Sequence, residues 1–207
     1  MRAYYAARAP LMRYDRLTPR TQRTLDTYAV FLQRALQGRR VLEIACGTGY
    51  WTQRIAEAAE HVHATDVLPE MIAIAAERGY ARGNVTLQRA DAYTLEGVPG
   101  GWSAAFHFQW FSHIPKREAH RFLSTLHARL ARGALVVFGD NLDRGTDPDA
   151  DGNLYQVREL AGHPPHRIIK NCPSEVELDA LLAPWTQSVS HHRFAGDWFA
   201  QYVLEPI

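Results

Sequence analysis

Hydrophobic and polar positions follow two alternating periods through most of the chain. Short apolar runs predict buried strands at 40–45, 61–66, 84–89, 103–108 and 134–139. Apolar residues that recur every three to four positions predict helices between them at 51–59, 69–78 and 116–130. Strands that alternate with helices in this way predict a parallel sheet with helices on both faces.

Regular elements are also predicted at both ends of the chain. A Thr-Pro pair at 18–19 is typical of a helix start, and helical spacing continues from there to Gly38. The strand-like runs 188–194 and 198–204 flank a Gly-Asp turn, so they predict a C-terminal antiparallel hairpin.

The alternating pattern is interrupted after residue 140. Residues 141–165 are rich in Asp, Gly and Pro, which indicates an excursion from the sheet. The runs 155–158 and 167–170 predict a small hairpin around its end. Ser174 followed by Glu177 then has the spacing of a capping box at a helix start.

The segment 41–52, VLEIACGTGYWT, carries the strongest chemical signal. An apolar strand ends near Glu43 and runs through Gly47 and Gly49 into a helix. Glycines let the backbone turn sharply and approach a ligand, and the helix N-terminus offers N–H donors to a carboxylate. A dinucleotide fingerprint would place a third glycine where this chain has Thr52.

Acidic residues also follow the second and third predicted strands. Asp66 ends the second strand, where a carboxylate can accept hydrogen bonds from both hydroxyls of a ribose. Asp91 and Ala92 follow the third strand, where an acid beside a small residue can bind the amine of adenine while a backbone N–H meets the ring. The ribose contact alone does not separate this pattern from that of nicotinamide enzymes.

The order and spacing of these residues resemble class I methyltransferases that use S-adenosylmethionine (SAM). The resemblance covers roughly residues 4–140 and the terminal hairpin, and it is strongest to the group that includes quinone-biosynthesis methyltransferases and many small-molecule enzymes. It implies a Rossmann-like α/β fold with a seven-stranded, mostly parallel sheet. The expected product of the cofactor is S-adenosylhomocysteine (SAH).

The resemblance also implies roles for individual side chains. The loop from Gly47 to Gly49 would hold the methionine part of SAM, and Glu43 would orient that loop and the amino group. Met71 would pack on the adenine. Gln109, just past the fourth strand, would lie near the sulfonium.

Aromatic residues are candidates to contact the sulfonium or the methyl acceptor. Aromatic faces attract cations, and a tyrosine also offers a hydroxyl. We expect Tyr5 to contribute to the cofactor site, and Tyr14 and Trp110 to the substrate site. Packing in the core is the competing interpretation of such residues.

His113, in the sequence WFSHIP, is the candidate catalytic residue. The ordinary pKa of histidine suits removal of a proton from a hydroxyl or a ring nitrogen. The alternative is a loop histidine that bonds the backbone and orders the segment.

An Asp-Asn pair follows the fifth predicted strand, at Asp140 and Asn141. Catechol-type O-methyltransferases bind magnesium through such a pair together with an Asp after the fourth strand. Here the fourth strand ends in Phe108, Gln109 and Trp110, with no carboxylate. Magnesium prefers a fuller set of oxygen ligands, so we expect no metal and assign Asn141 to the substrate site.

Charge is spread unevenly along the 207 residues, whose net charge is +1. Residues 1–40 hold nine arginines and two acids, which gives +7 and leaves −6 for the remainder. A solvated arginine face on an N-terminal helix is one interpretation, and a basic lid over an anionic substrate is the other. A nucleic-acid-binding domain would be basic as a whole, so no nucleic-acid partner is expected.

The length predicts one domain over 1–207, with an N-terminal helical lid or cap at 1–37 and a substrate roof at 141–170. Two distant cysteines indicate neither a disulfide framework nor a zinc site. The chain contains no apolar run long enough to span a bilayer and no secretion signal, so we expect a cytoplasmic monomer or homodimer without membrane association.

Several functions remain open at this point. The leading expectation is an enzyme that transfers a methyl group from SAM to an oxygen or nitrogen of a small molecule. A protein or RNA methyltransferase is the first alternative, and a non-catalytic methyltransferase-like partner subunit is the second. An NAD-dependent reductase is a more distant alternative, because it shares the glycine loop and the acid after the second strand.

Overall fold

The computed structural model describes residues 1–12, 18–194 and 196–205. Within these residues, seven strands form the main sheet, in the spatial order β3-β2-β1-β4-β5-β10-β9. Their bounds are β1 Arg40–Ile44, β2 His61–Asp66, β3 Val85–Arg89, β4 Trp102–Phe108, β5 Leu130–Asn141, β9 Ser190–Arg193 and β10 Asp197–Val203.

The first five strands pair in parallel, and β10 pairs antiparallel with both β5 and β9. This arrangement confirms the predicted Rossmann-like sheet with its C-terminal hairpin. The strand order reverses between β1 and β4, which creates a crevice at the carboxyl ends of these strands. Ligands of open α/β sheets bind in such a crevice.

Helices cover both faces of the sheet, as predicted. Their bounds are α1 Arg2–Arg8, α2 Pro19–Leu36, α3 Tyr50–Ala56, α4 Pro69–Glu77, α5 Ala119–His127 and α6 Glu175–Leu182. One core cluster contains buried residues of α2 and α3, and a second contains those of α5 and α6. The predicted caps are present, because Thr18 accepts from the Thr21 N–H and Ser174 forms a capping box with Glu177.

The predicted helix over 116–130 is wrong at both ends. A short 3₁₀ turn occupies Lys116–Glu118, the α-helix ends at His127, and β5 already begins at Leu130. Trp102 of β4 pairs with Leu130 before the register shifts. Sheet pairing therefore overrides the helical spacing in this segment, as tertiary context commonly does.

The excursion after β5 is larger than the predicted hairpin. Three described strands, β6 Asp147–Pro148, β7 Leu154–Leu160 and β8 His163–Ile169, form a separate antiparallel sheet in the order β6-β7-β8. We call it the insertion sheet. Tyr155 pairs with Ile169, and Arg158 pairs with His166.

Candidate active site

The turn after β1 adopts the conformation that its glycines permit. Gly47 and Gly49 have φ of 55° and 74°, in the left-handed region that side chains rarely adopt. At Gly49, a Cβ would also lie 2.6 Å from the Tyr80 hydroxyl and 3.0 Å from the Ala75 Cβ. The glycine is therefore needed both for backbone conformation and for close packing under the loop.

The carboxylate of Asp66 holds this turn and the start of α4 together. Its Oδ2 accepts the Gly47 N–H at 3.0 Å, and its Oδ1 accepts the Leu68 N–H at 2.9 Å. Burial raises the pKa of Asp66, while the N–H donors at Leu68 and Gly47 lower it in part. Asp66 thus shapes the loop as well as facing the crevice.

Glu43 is a buried carboxylate with an unused acceptor. Its side chain is almost fully buried, and its Oε2 has no hydrogen-bond partner among the described residues. Burial raises its pKa to about 8. An oxygen of this kind fits the amino group of the methionine part of SAM, because a cationic donor would satisfy it.

Asp91 and Met71 both line the space expected for adenine. Asp91 Oδ1 accepts the Tyr93 N–H at 2.9 Å, and its Oδ2 lies 2.6 Å from the Arg2 guanidinium of α1. Met71 is buried in α4. The structure therefore adds a contact that the sequence did not predict, because α1 reaches across to the third strand end.

One cavity of about 430 Å³ joins these groups, within the range of small-molecule sites. Most of the predicted site residues line it: Tyr5, Glu43, Gly47, Asp66, Met71, Asp91, Ala92, Gln109, Trp110, His113 and Asn141. Gly49 lies behind the loop and is not part of the lining. Tyr14 falls outside the described residues.

His113 is buried beneath the N-terminal helix. Its Nδ1 lies 2.6 Å from the carbonyl oxygen of Ile169, and its Nε2 lies 2.7 Å from the hydroxyl of Tyr5. A carbonyl can only accept, so Nδ1 carries the proton and Nε2 accepts from Tyr5 when the ring is neutral. Burial lowers the pKa of His113 to about 4, so the ring is neutral near pH 7.

The segment after β4 presents two further predicted residues to the cavity. Gln109 has a φ of 55°, and its N–H donates to the carbonyl of Gly139 at 2.9 Å. A positive φ is uncommon for a non-glycine residue, and here the pairing with β5 holds it. Trp110 lines the cavity, and its Nε1 has no hydrogen-bond partner among the described residues.

The carboxylate of Asp140 is fully engaged by protein donors. Oδ1 accepts from Lys170 Nζ at 2.6 Å and from the Asn141 N–H at 2.9 Å, while Oδ2 accepts the Ser112 N–H at 3.0 Å. In the described ranges, no three His, Cys, Asp or Glu side chains are grouped to hold a metal. Asn141 lines the cavity with a buried Oδ1 that lacks a partner there.

Two cationic residues of this site, Arg158 and Lys170, were not identified from the sequence. Arg158 and Lys170 belong to the insertion sheet or its end, and Arg8 ends α1; all three line the cavity. Arg8 belongs to the basic N-terminal segment, for which a lid over an anionic substrate was one of the two predicted roles. The available signal in the sequence was the rarity of lysine, because Lys170 is one of two lysines among the 23 Lys and Arg residues.

Comparison with known proteins agrees with this geometry. The family described as "Methyltransferase domain" matches residues 41–133. The solved structure of DhpI with SAH is 30% identical, with a TM-score of 0.79, and the alignment covers 99% of this chain and 95% of DhpI. This chain belongs to the class I SAM-dependent methyltransferases. A DhpI complex with SAM and HEP is also similar, at 29% identity and a TM-score of 0.78.

Curated relatives of this methyltransferase include O-methyltransferases of ubiquinone biosynthesis. The protein of Xylella fastidiosa strain M23 is 29% identical over 120 residues, which cover 51% of this chain and 49% of the relative. That of Xanthomonas oryzae pv. oryzae strain PXO99A is 27% identical over 173 residues, covering 72% and 69%. The methyltransferase spans about half the length of the first of these relatives. Within its described ranges, no helix has the length and apolar character needed to cross a bilayer.

Proposed function

We propose that the protein transfers the methyl group of SAM to an oxygen or nitrogen atom of a small molecule. The observation that carries this proposal is one cavity that joins the cofactor-type groups Glu43, Asp66 and Asp91 to the Tyr5–His113 pair. An oxygen acceptor is favoured, because the curated relatives are named O-methyltransferases.

Each strand end would contribute one part of the cofactor site. The unused Oε2 of Glu43 would accept from the cofactor's amino group, and Asp66 would hold the ribose hydroxyls with the lone pairs left free by its backbone donors. Met71 would pack on the adenine, with Asp91 and Ala92 at the ring's edge. When bound, SAM supplies an electrophilic methyl on a sulfonium.

The chain's own contribution to methyl transfer is positioning. Gln109, Trp110 and Asn141 would hold the acceptor against the methyl, and the aromatic face of Trp110 would attract the positive charge of the sulfonium. A reacting atom held about 3 Å from its target in a covered site gains on the order of 7–11 kcal/mol from orientation and water exclusion. Beyond positioning, the reaction needs a group that takes the proton of the acceptor.

His113 would serve as the proton acceptor in this reaction. Its Nε2 is already the acceptor of a hydroxyl hydrogen bond from Tyr5, and the Ile169 carbonyl holds the ring in that tautomer. An acceptor hydroxyl or amine that takes the place of the Tyr5 hydroxyl would meet the same lone pair. A histidine that merely orders its loop would not need Nε2 directed at a cavity.

Residues 1–12 and the insertion sheet would act as lid and roof over the acceptor. Tyr4 lies against His166, with ring centroids 5.4 Å apart, and Tyr5 contacts His113, so α1 is in contact with both the insertion sheet and the loop after β4. A cavity covered in this way fits a small acceptor better than a residue within a protein or an RNA. We therefore rank those macromolecular substrates below small molecules.

Titration calorimetry with SAH and NAD tests the first step of this proposal. Tight binding of SAH with no binding of NAD is expected, and the reverse result would contradict the cofactor assignment. Turnover would then be followed as SAH formation with a panel of small hydroxy and amino compounds. His113→Asn should lose at least about 100-fold in kcat while SAH affinity stays unchanged, because general acid–base groups contribute about 10²–10⁴-fold. Equal rates would exclude a catalytic role and leave a structural one.

A further inference from the structure

Cationic side chains gather at the end of the cavity that lies beside His113. Lys170, Arg158 and Arg8 all line the cavity. The charges of Lys170 and Arg158 act on the pKa of His113, and those of Arg8 and Arg158 act on that of Tyr5. These three cations, from α1, β7 and the segment after β8, therefore lie near the same two side chains and line the same cavity.

The ammonium of Lys170 is the most deeply placed of these charges. The residue is 2% exposed, and its Nζ donates to Asp140 Oδ1 at 2.6 Å and to Ser112 Oγ at 2.8 Å. An ammonium has three N–H donors, and these are the two partners found among the described residues. Lys170 also lines the cavity, so a bound anion there would be a third acceptor for its ammonium.

The two arginines are less completely neutralised. Arg158 lies 2.8 Å from Asp143 in a half-exposed ion pair. Arg8 has no carboxylate partner among the described residues. Asp140 pairs with Lys170 and Asp143 pairs with Arg158, so Arg8 supplies the positive charge that these two pairs leave in excess at this end of the cavity.

We propose that the methyl acceptor carries an anionic group, a carboxylate or a phosphate-type group, which Arg8, Arg158 and Lys170 hold while its hydroxyl or amine faces His113. This inference rests on the proposed methyltransferase function and specifies its substrate class. Arginine binds planar or tetrahedral oxyanions through paired N–H donors, and a buried lysine adds a point charge. A neutral acceptor would use none of these charges, whereas an oxyanion would accept from the N–H donors that Asp140 and Asp143 leave free.

The carboxylate of SAM itself is the competing partner for these cations. The two possibilities differ in what each arginine changes. If Arg158 holds the cofactor, Arg158→Gln weakens SAH binding. If it holds the acceptor, SAH affinity stays the same and only the affinity for a second anion falls.

The experiment uses the intact protein saturated with SAH and titrates it with acetate, inorganic phosphate or sulfate against chloride at constant ionic strength. Arg158→Gln and Arg8→Gln are compared with Arg167→Gln as the matched control. Arg167 lies on β8 of the insertion sheet, next to His166. Its side chain pairs with Asp147 at 2.7 Å and is not part of the cavity lining. We expect at least one anion to bind, with binding at least fivefold weaker in the first two variants and unchanged in the control.

Each outcome decides the question. Acetate binding without phosphate binding identifies a carboxylate on the acceptor, the reverse identifies a phosphate-type group, and binding of both supports a site for oxyanions of either kind. Absence of anion binding in a protein that binds SAH, equal weakening in Arg167→Gln, or loss of SAH affinity in Arg158→Gln overturns the proposal and leaves the methyltransferase function intact. Failure of the unsubstituted protein to bind SAH would instead refute the proposed function.

Discussion

The hydroxyl of Tyr5 donates a hydrogen bond to Nε2 of His113 across 2.7 Å, from the N-terminal helix to the loop after β4. The two residues are 108 positions apart, so this bond closes the N-terminus over the cavity. It also occupies the nitrogen that we assign to proton transfer. An acceptor must therefore displace the tyrosine hydroxyl or use it as a bridge, which couples the position of α1 to the chemistry.

Tyr5→Phe should loosen the N-terminal helix without unfolding the protein. A neutral hydrogen bond contributes about 0.5–1.5 kcal/mol, so backbone amides of residues 2–8 should exchange hydrogen faster by up to about tenfold. Exchange measured by mass spectrometry with and without SAH checks this expectation. Tyr4→Phe is the matched control, since no hydrogen bond of the Tyr4 hydroxyl is found among the described residues. Equal exchange in both variants would show that the Tyr5–His113 bond does not close α1.

Asp66→Ala should lower SAH affinity at least tenfold. Hydrogen bonds to a charged acceptor contribute about 1.5–3 kcal/mol each, and Asp66 also holds the Gly47 N–H. Titration calorimetry on the folded variant measures the loss. Asp66→Asn serves as control because one side-chain oxygen remains for the Leu68 N–H. An unchanged dissociation constant for SAH in Asp66→Ala would contradict the ribose assignment.

Activity should show no inflection from His113 between pH 5 and pH 8. Burial lowers its pKa to about 4, so the ring is already neutral throughout this range, and protonation removes the Nε2 lone pair only below it. The measurement is kcat/KM against pH for the unsubstituted protein. An inflection near pH 6.5 would show that the imidazole is solvated during turnover.

Acid should destabilise the fold through His107. This residue of β4 is fully buried, and the rings of Phe111, Phe122 and Phe138 surround it. Neither nitrogen of its ring has a partner among the described residues, and burial lowers its pKa to about 3. Its unfolded pKa is about 6.5, so the unfolded state binds one more proton between these values. The stability that neutral His107 contributes is fully present above pH 6.5, and the free energy of unfolding falls by about 1.4 kcal/mol per pH unit below it.

Replacing that ring isolates its contribution. His107→Phe should reduce the slope of unfolding free energy against pH by about one proton between pH 4 and pH 6, as measured by urea titrations. Glu43 acts in the opposite direction, since its pKa of about 8 in the folded protein makes stability fall as pH rises from about 4.5 to 8. That effect is present in both proteins and cancels in the difference. Parallel curves would mean that His107 is hydrated in the folded state.

Chelation should leave turnover unchanged once an acceptor is identified. Asp140 already accepts from Lys170 and two backbone N–H groups, so its lone pairs are committed to protein donors. SAH formation measured in excess EDTA checks the expectation. Loss of activity with EDTA and its recovery on addition of magnesium would show that Asp140 exchanges Lys170 for a metal.

Local patterns were sufficient to predict the strand ends that carry Glu43, Asp66 and Asp91. Parallel strands place their carboxyl ends at one edge, so sequence order alone brings these acids together. The ion pair of Lys170 with Asp140 was not predictable in this way. It depends on how a 30-residue excursion returns to the sheet, and nothing in the local spacing of either residue encodes that path.

The incorrect helix over 116–130 has a related cause. The segment has helical spacing throughout, but its last residues can also extend a strand beside β4. Pairing with a neighbour already present in the sheet is a long-range property, and a single-sequence period does not contain it. The contact of Arg2 with Asp91, across 89 positions, was missed for the same reason.

The ion pair between Asp140 and Lys170 also has a consequence for redesign of the protein. The chain leaves β5 at Asn141 and reaches Lys170 after β8. This ion pair, together with the hydrogen bond from the Gly145 N–H to the Lys170 carbonyl, joins the two ends of the insertion sheet. A different segment grafted between these two anchors would meet the same cofactor groups, so acceptor preference could be exchanged without rebuilding the domain.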